Sequence, residues 1–98
     1  MQKKQFSVYI MMNTWNTTSY LGVTGNLAER VWHHQQKLVA GFTKQYNLTK
    51  LVYHETFDEP TAAIAREKQL KKWSRMKKVN LIKRQNPEFR DLSKDWEA

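Results

Sequence analysis

Five side chains have the chemistry to work on a phosphodiester: Tyr9, Tyr20, Arg30, His34 and Glu67. Glu67 stands out first. Between Thr61 and Arg84 the chain carries nine Lys or Arg residues and this single acid, a net +8 that equals the formal charge of the whole protein. A segment that basic suits a polyanion, and a lone carboxylate inside it weakens phosphate binding unless it holds a metal ion. Mg2+ commonly binds through one or two carboxylates and keeps several waters. Against this, Lys71 lies four residues further on, in the favourable order for a helix ion pair worth about 0.2–0.5 kcal/mol. Metal ligand and ordinary ion pair both stand on the residues alone.

The other four divide the same way. Two phenols on one sheet face either pack, as aromatics in strands do, or flank a reactive phosphate. A phenol with an unperturbed pKa of about 10 is a poor base at neutral pH unless a nearby cation lowers it. Arg30 and His34 are four residues apart, hence neighbours on a helix surface. They form either a solvated face or a grip on phosphate oxygens, which the planar Arg fork suits. His33 lies on a different azimuth and reads as surface. His54 sits mid-strand and reads as a cross-strand partner. Arg66, Lys68, Lys71, Lys72 and Arg75, with Lys44 from a loop, are the candidate contacts to a nucleic-acid backbone. Part of that basic run serves solubility. Trp73 reads as core, and Trp15 as a hairpin-tip residue that either makes a loop contact or stacks on a base.

The elements that position these residues follow from periodicity. Phe6 to Met12 alternates as a strand, Asn13 to Thr18 is rich in turn formers, and Tyr20 to Thr24 reads as a second strand. With Val8, Ile10, Leu21 and Val23 facing the core, Tyr9, Tyr20 and Gly22 share the opposite face. Asn26 with Glu29 resembles a capping box. It opens a helix with Leu27, Val31 and Leu38 on its buried stripe and Gly41 at its end. Leu51 to Phe57 is a third strand. Asp58-Glu59-Pro60 opens a helix to about Trp73, and another runs from Arg75 to about Arg84, stopped before Pro87. Residues 88–98 read as a polar tail with Phe89, Leu92 and Trp96 as docking points. The order ββαβαα gives an α+β or α/β class, a small three-stranded sheet with packed helices.

Ninety-eight residues, 40% hydrophobic and 27% charged, make a single globular domain with one modest core. With no Cys, disulfides and Cys-based zinc sites are excluded, and a reducing, cytoplasmic setting is expected. The apolar run Phe6 to Met12 is too short to span a membrane. The clustered positive charge favours nucleic acid as partner, and no helix is apolar enough on one side to favour a membrane surface.

Taken together, these residues resemble the GIY-YIG nuclease superfamily. Its two name-giving motifs correspond to Ser7-Val8-Tyr9 and Tyr20-Leu21-Gly22. Its helix arginine and histidine match Arg30 and His34, and its metal-binding glutamate matches Glu67. The stretches Gly41 to Lys44, Ala65 to Trp73 and Asn86-Pro87 look like a subfamily of small, single-domain bacterial proteins described as endonucleases. The resemblance runs from about Phe6 to Trp96. Ser7 and Val8 depart mildly from the first motif. Some repair nucleases of the superfamily carry a lysine straight after the second motif, and Val23 stands there. The late asparagine of some members has no clear match here; Asn86 is a candidate and Asn80 a weaker one.

The resemblance implies a three-stranded antiparallel sheet flanked by helices. It also implies a Mg2+- or Mn2+-dependent endonuclease acting on DNA, with RNA not excluded and no organic cofactor. Glu67 would hold the metal, Tyr20 accept the water's proton, Tyr9 position the water or phosphate, and Arg30 with His34 stabilise the phosphate charge. With Val23 in place of lysine, activation of Tyr20 rests on the metal, Arg30 and the substrate phosphate. Two other readings share the sequence: a nucleic-acid-binding module of the same fold with little catalysis, and an adaptor for a protein partner.

Overall fold

A computed structural model describes residues 4–38 and 46–96. Strands β1 (Phe6–Met12) and β2 (Ser19–Thr24) precede helix α1 (Leu27–Gln35) and strand β3 (Lys50–Phe57). Helices α2 (Pro60–Lys71) and α3 (Arg75–Gln85) follow, and a 3-10 turn, Leu92–Trp96, closes the described chain. The observed order is the ββαβαα read from the sequence.

The sheet has the order β2-β1-β3, with β1 central and antiparallel to both neighbours. Helices cover both faces, which is why every β1 residue from Ser7 to Met12 is buried. On one face Val8, Ile10 and Met12 pack with Val52 and Tyr53, with Ala63 and Leu70 of α2, and with Leu81 and Ile82 of α3. On the other, Tyr9 and Met11 pack with Val31 of α1 and with Leu48 and Leu51. The β1–β3 register shifts between Ile10 and Met11. That bulge turns both Val52 and Tyr53 into the first core while Leu51 enters the second.

The β1–β2 hairpin is fastened by Asn13, whose Oδ1 accepts from the amides of Thr17 (2.9 Å) and Thr18 (3.1 Å). Asn26 caps α1 as expected, accepting from the Glu29 amide at 3.1 Å, with its own amide group donating to Glu29 Oε2 at 3.3 Å. The helix ends earlier than the sequence suggests. Lys37 adopts a left-handed conformation (φ 58°). Its amide donates to the His34 carbonyl and that of Leu38 to the His33 carbonyl, the paired bonds of a Schellman stop. Leu38, expected on the buried stripe, is therefore 63% exposed. Gly41 and Lys44 lie outside the described residues.

Segment 88–96 is docked more firmly than a polar tail. The buried Asn86 side chain donates to the carbonyls of Val52 (3.1 Å) and Arg90 (2.8 Å) and accepts from the Arg90 amide (3.0 Å). Asp91 Oδ1 accepts from the Leu51 amide at 3.3 Å. Phe89 packs on the first core and Leu92 on the second. Asn86 is thus a fastener between β3 and the chain end.

Candidate active site

Tyr9 and Tyr20 come together because of strand register. Tyr9 pairs across from Gly22 and Tyr20 from Met11, so all four share the sheet face that α1 covers. Their rings tilt towards each other with centroids 6.3 Å apart. Gly22 makes room for both. A Cβ built there would lie 2.7 Å from the Tyr9 hydroxyl oxygen and 2.9 Å from Tyr20 Cε2. The second motif's glycine is therefore a steric requirement of the two phenols.

Helix α1 adds the other two groups. Arg30 Nε donates to the Tyr9 hydroxyl at 3.2 Å, and that hydroxyl lies 3.0 Å from His34 Nε2. The His34 ring stands 5.6 Å from Tyr9 and 5.5 Å from Tyr20, centroid to centroid. The helical spacing of Arg30 and His34 closes a four-residue cluster.

Burial sets its electrostatics. Loss of hydration, helped by the positive charges of Arg30 and His33, lowers the His34 pKa to about 4, so the imidazole is neutral at pH 7. A neutral imidazole brings no charge to a phosphate, and the ring's hydrogen bond is to Tyr9. Burial raises the Tyr9 phenol above its ordinary value despite the opposing pull of Arg30, with the charges of Tyr20 and Glu67 adding to the rise. Its hydrogen bond to Tyr9, foremost, holds the Arg30 guanidinium above its usual range.

Glu67 sits on α2, which packs against β1 and β2. Its charge reaches Tyr9, as the Tyr9 pKa registers. Its carboxylate is not free of Lys71: Oε2 lies 3.4 Å from Nζ, with the Glu67 side chain 16% and the Lys71 side chain 55% exposed. No group of three or more metal-ligating side chains occurs among the described residues.

Residues 5–80 match the GIY-YIG catalytic domain. The chain belongs to the GIY-YIG family. Among its relatives, the UPF0213 protein of Syntrophus aciditrophicus is 42% identical over 82 residues, covering 83% of this chain and 92% of that protein. The UPF0213 protein of Pediococcus pentosaceus is 34% identical over 79 residues, covering 81% and 82%. The solution structure of the UPF0213 protein BH0048 from Bacillus halodurans superposes with a TM-score of 0.58 over 92% of this chain and 95% of that one, at 24% identity, a likeness of fold.

In this GIY-YIG domain the basic run divides by neighbourhood. A cleft of about 400 Å³ lies between β2 and α3, lined by Tyr20, Lys71, Arg75 and Lys78 over an apolar floor that includes Ile10 and Ile82. Lys71 and Arg75, two of the expected backbone contacts, therefore stand beside Tyr20. Lys68 and Lys72 are exposed on α2 and just past its end. Arg66 is committed elsewhere: Nε donates to Glu55 Oε1 and Nη2 to Glu55 Oε2, both at 3.0 Å, and Nη1 donates to Gln69 at 2.7 Å. Its guanidinium also covers the Trp73 ring, so its geometry serves packing over phosphate contact. Burial alone would raise the Glu55 carboxyl, but the hydrogen bonds of Arg66 and Tyr53 hold it below the usual range. Sequence reading missed this Tyr53–Glu55–Arg66 network; its one signal was the only acid in β3. His54 pairs across from Tyr9, as expected of a cross-strand partner.

Proposed function

We propose that this protein is a metal-dependent endonuclease that hydrolyses phosphodiester bonds in DNA, in the repair or processing of branched or damaged DNA. The observation that carries the reading is the hydrogen-bonded Tyr9–Arg30–His34 cluster set against Tyr20 at the head of a cationic cleft. The expected site residues divide their work by exposure. Tyr20 is half-buried where Tyr9 is fully enclosed, and it stands on the edge strand beside the cleft, so it is the phenol assigned to accept a water's proton. Tyr9 is fully buried, stays protonated and braces the site. Arg30, between the two phenols, meets the charge that develops on the phosphate. His34 is a positioning residue acting through Tyr9.

Glu67 suits a divalent ion that keeps most of its waters, since it offers one carboxylate whose present partner is a half-exposed lysine. Bound there, Mg2+ or Mn2+ would supply Lewis-acid polarisation of the scissile phosphate. The cations of the cleft, with Lys68, Lys72 and Lys44, draw in the backbone and make binding steeply salt-dependent. Among the described residues no helix is long and apolar enough to cross a membrane.

The test is cleavage of plasmid and branched DNA with Mg2+ or Mn2+ by wild type and Glu67→Ala. Wild type is expected to cut and the variant to lose at least about 100-fold. Cleavage unchanged in Glu67→Ala sinks the mechanism. The Glu67–Lys71 pair favours a second reading, in which the fold binds nucleic acid and cuts little. It predicts salt-sensitive binding without metal-dependent cleavage, and an affinity indifferent to Tyr20→Phe.

A further inference from the structure

Trp15 is 80% exposed at the tip of the β1–β2 hairpin. A tryptophan in solvent on a floppy turn needs no explanation, but this turn is fastened from three sides. Asn13 caps the amides of Thr17 and Thr18. Arg75 Nη2, from the start of α3, donates to the Asn16 carbonyl at 2.8 Å. Lys50 Nζ, from β3, donates to Asn16 Oδ1 at 2.6 Å. Asn16 itself holds a left-handed conformation at φ 57°, tolerable for Asn. The fold thus fixes the backbone beside Trp15 while leaving the indole uncovered, although burying it elsewhere would have been favourable.

Beside Trp15 runs a groove of about 360 Å³ lined by Trp15, Tyr46, Lys37, Asn47 and Thr49, with no acid among its lining residues. An aromatic face with a cation beside it suits an unpaired nucleobase stacked on the indole with a phosphate near the ammonium. Base pairs inside a duplex are stacked on both sides and offer no free face to such a tip. Arg75 connects this groove to the cleft, because the side chain that lines the cleft beside Tyr20 also holds the Asn16 carbonyl. A strand leaving the cleft past Arg75 therefore meets Trp15.

We infer that Trp15 is a stacking platform for an unpaired base of the nucleic acid whose backbone occupies the cleft, so that the protein prefers substrates with a single-stranded segment. This inference rests on the reading of the protein as a nucleic-acid binder, and the test separates the two. Binding of a labelled twelve-residue thymidine oligonucleotide and of a blunt hairpin duplex is measured by fluorescence anisotropy, without metal so that nothing is cut. The proteins are wild type, Trp15→Ala and Trp15→Phe. Trp15→Ala is expected to weaken single-strand binding by about 5- to 100-fold and Trp15→Phe by much less, with duplex binding changed less than about twofold. Single-strand binding by wild type should also quench tryptophan fluorescence, and Trp15→Phe should remove most of that quenching. Equal losses on both substrates, or none on the single strand, overturn the platform and leave nucleic-acid binding intact. Wild type that binds neither oligonucleotide overturns both. A wild-type dimer in light scattering that Trp15→Ala dissolves assigns the indole to a second copy of the chain and also overturns the platform.

Discussion

The Tyr9 hydroxyl lies 3.0 Å from His34 Nε2, and both residues are buried. This contact joins the central strand to α1 and is the one hydrogen bond of the His34 ring among the described residues, its Nδ1 being buried without a hydrogen-bond partner. Tyr9→Phe leaves both ring nitrogens unpaired and also deprives Arg30 of an acceptor. An unmade buried hydrogen bond costs about 1–3 kcal/mol. The variant is expected to melt roughly 5–15 °C lower by circular dichroism, and an unchanged melting temperature would show that the hydroxyl bears no structural load.

Acid should loosen the same contact. The folded state holds His34 neutral down to about pH 4, whereas an unfolded histidine takes up a proton near pH 6.5. The unfolded chain therefore binds more protons between these values, and stability is full above about pH 6.5 and falls as pH drops towards about 4. The loss from pH 7 to pH 5 is about 2 kcal/mol from this residue. His54, also lowered by burial, adds in the same direction. Urea titrations at the two pH values check it: His34→Gln should flatten the difference without abolishing it.

Gly22 and Gly25 make a paired test of close packing. A methyl group at Gly22 meets the Tyr9 ring at 2.7–2.8 Å and Tyr20 at 2.9 Å. The Tyr9 ring cannot retreat, since it is buried and held by α1. At Gly25 the nearest atom is Lys4 Cε at 3.0 Å, the far end of a flexible side chain. Gly22→Ala is expected to destabilise by about 1–3 kcal/mol, Gly25→Ala by under about 0.5 kcal/mol. Denaturant midpoints measure both, and equal effects would contradict the steric account of the second motif.

Two basic residues of α2 should separate stability from binding. Arg66→Ala strands the half-buried Glu55 carboxylate and is expected to cost about 1–3 kcal/mol, with little change in salt-corrected DNA affinity. Lys71→Met removes the exposed end of its pair with Glu67 and should shift stability by under about 1 kcal/mol. Because Lys71 lines the cleft, its loss should weaken DNA binding at low salt and reduce the slope of log affinity against log salt by about 1. Swapped outcomes would put the backbone path along Arg66.

What the sequence disclosed and what it hid follow a physical line. Period-two alternation placed Tyr9, Tyr20 and Gly22 on one face, and helical spacing placed Arg30 with His34, because both signals are local. The Asn26–Glu29 cap was legible for the same reason. The end of α1 was not: Lys37 takes a left-handed turn that glycine usually signals. Nor were the long-range pairs, Glu55 with Arg66 and Asn86 with Val52, since nothing in the spacing of such residues announces that they meet. The protonation state of His34 depends on how α1 seats against the sheet, which is a property of packing alone.

The three-stranded sheet leaves β2 with a neighbour on one side only. An open strand edge invites the backbone of another chain to add to it, and lysines along such an edge deter this. Lys71, Arg75 and Lys78 stand in the cleft beside Ser19, Tyr20 and Leu21 of that strand. The charges that would gather a polyanion are thus placed to oppose strand addition by a second copy. Neutralising all three should reveal itself as concentration-dependent aggregation before any nucleic acid is added.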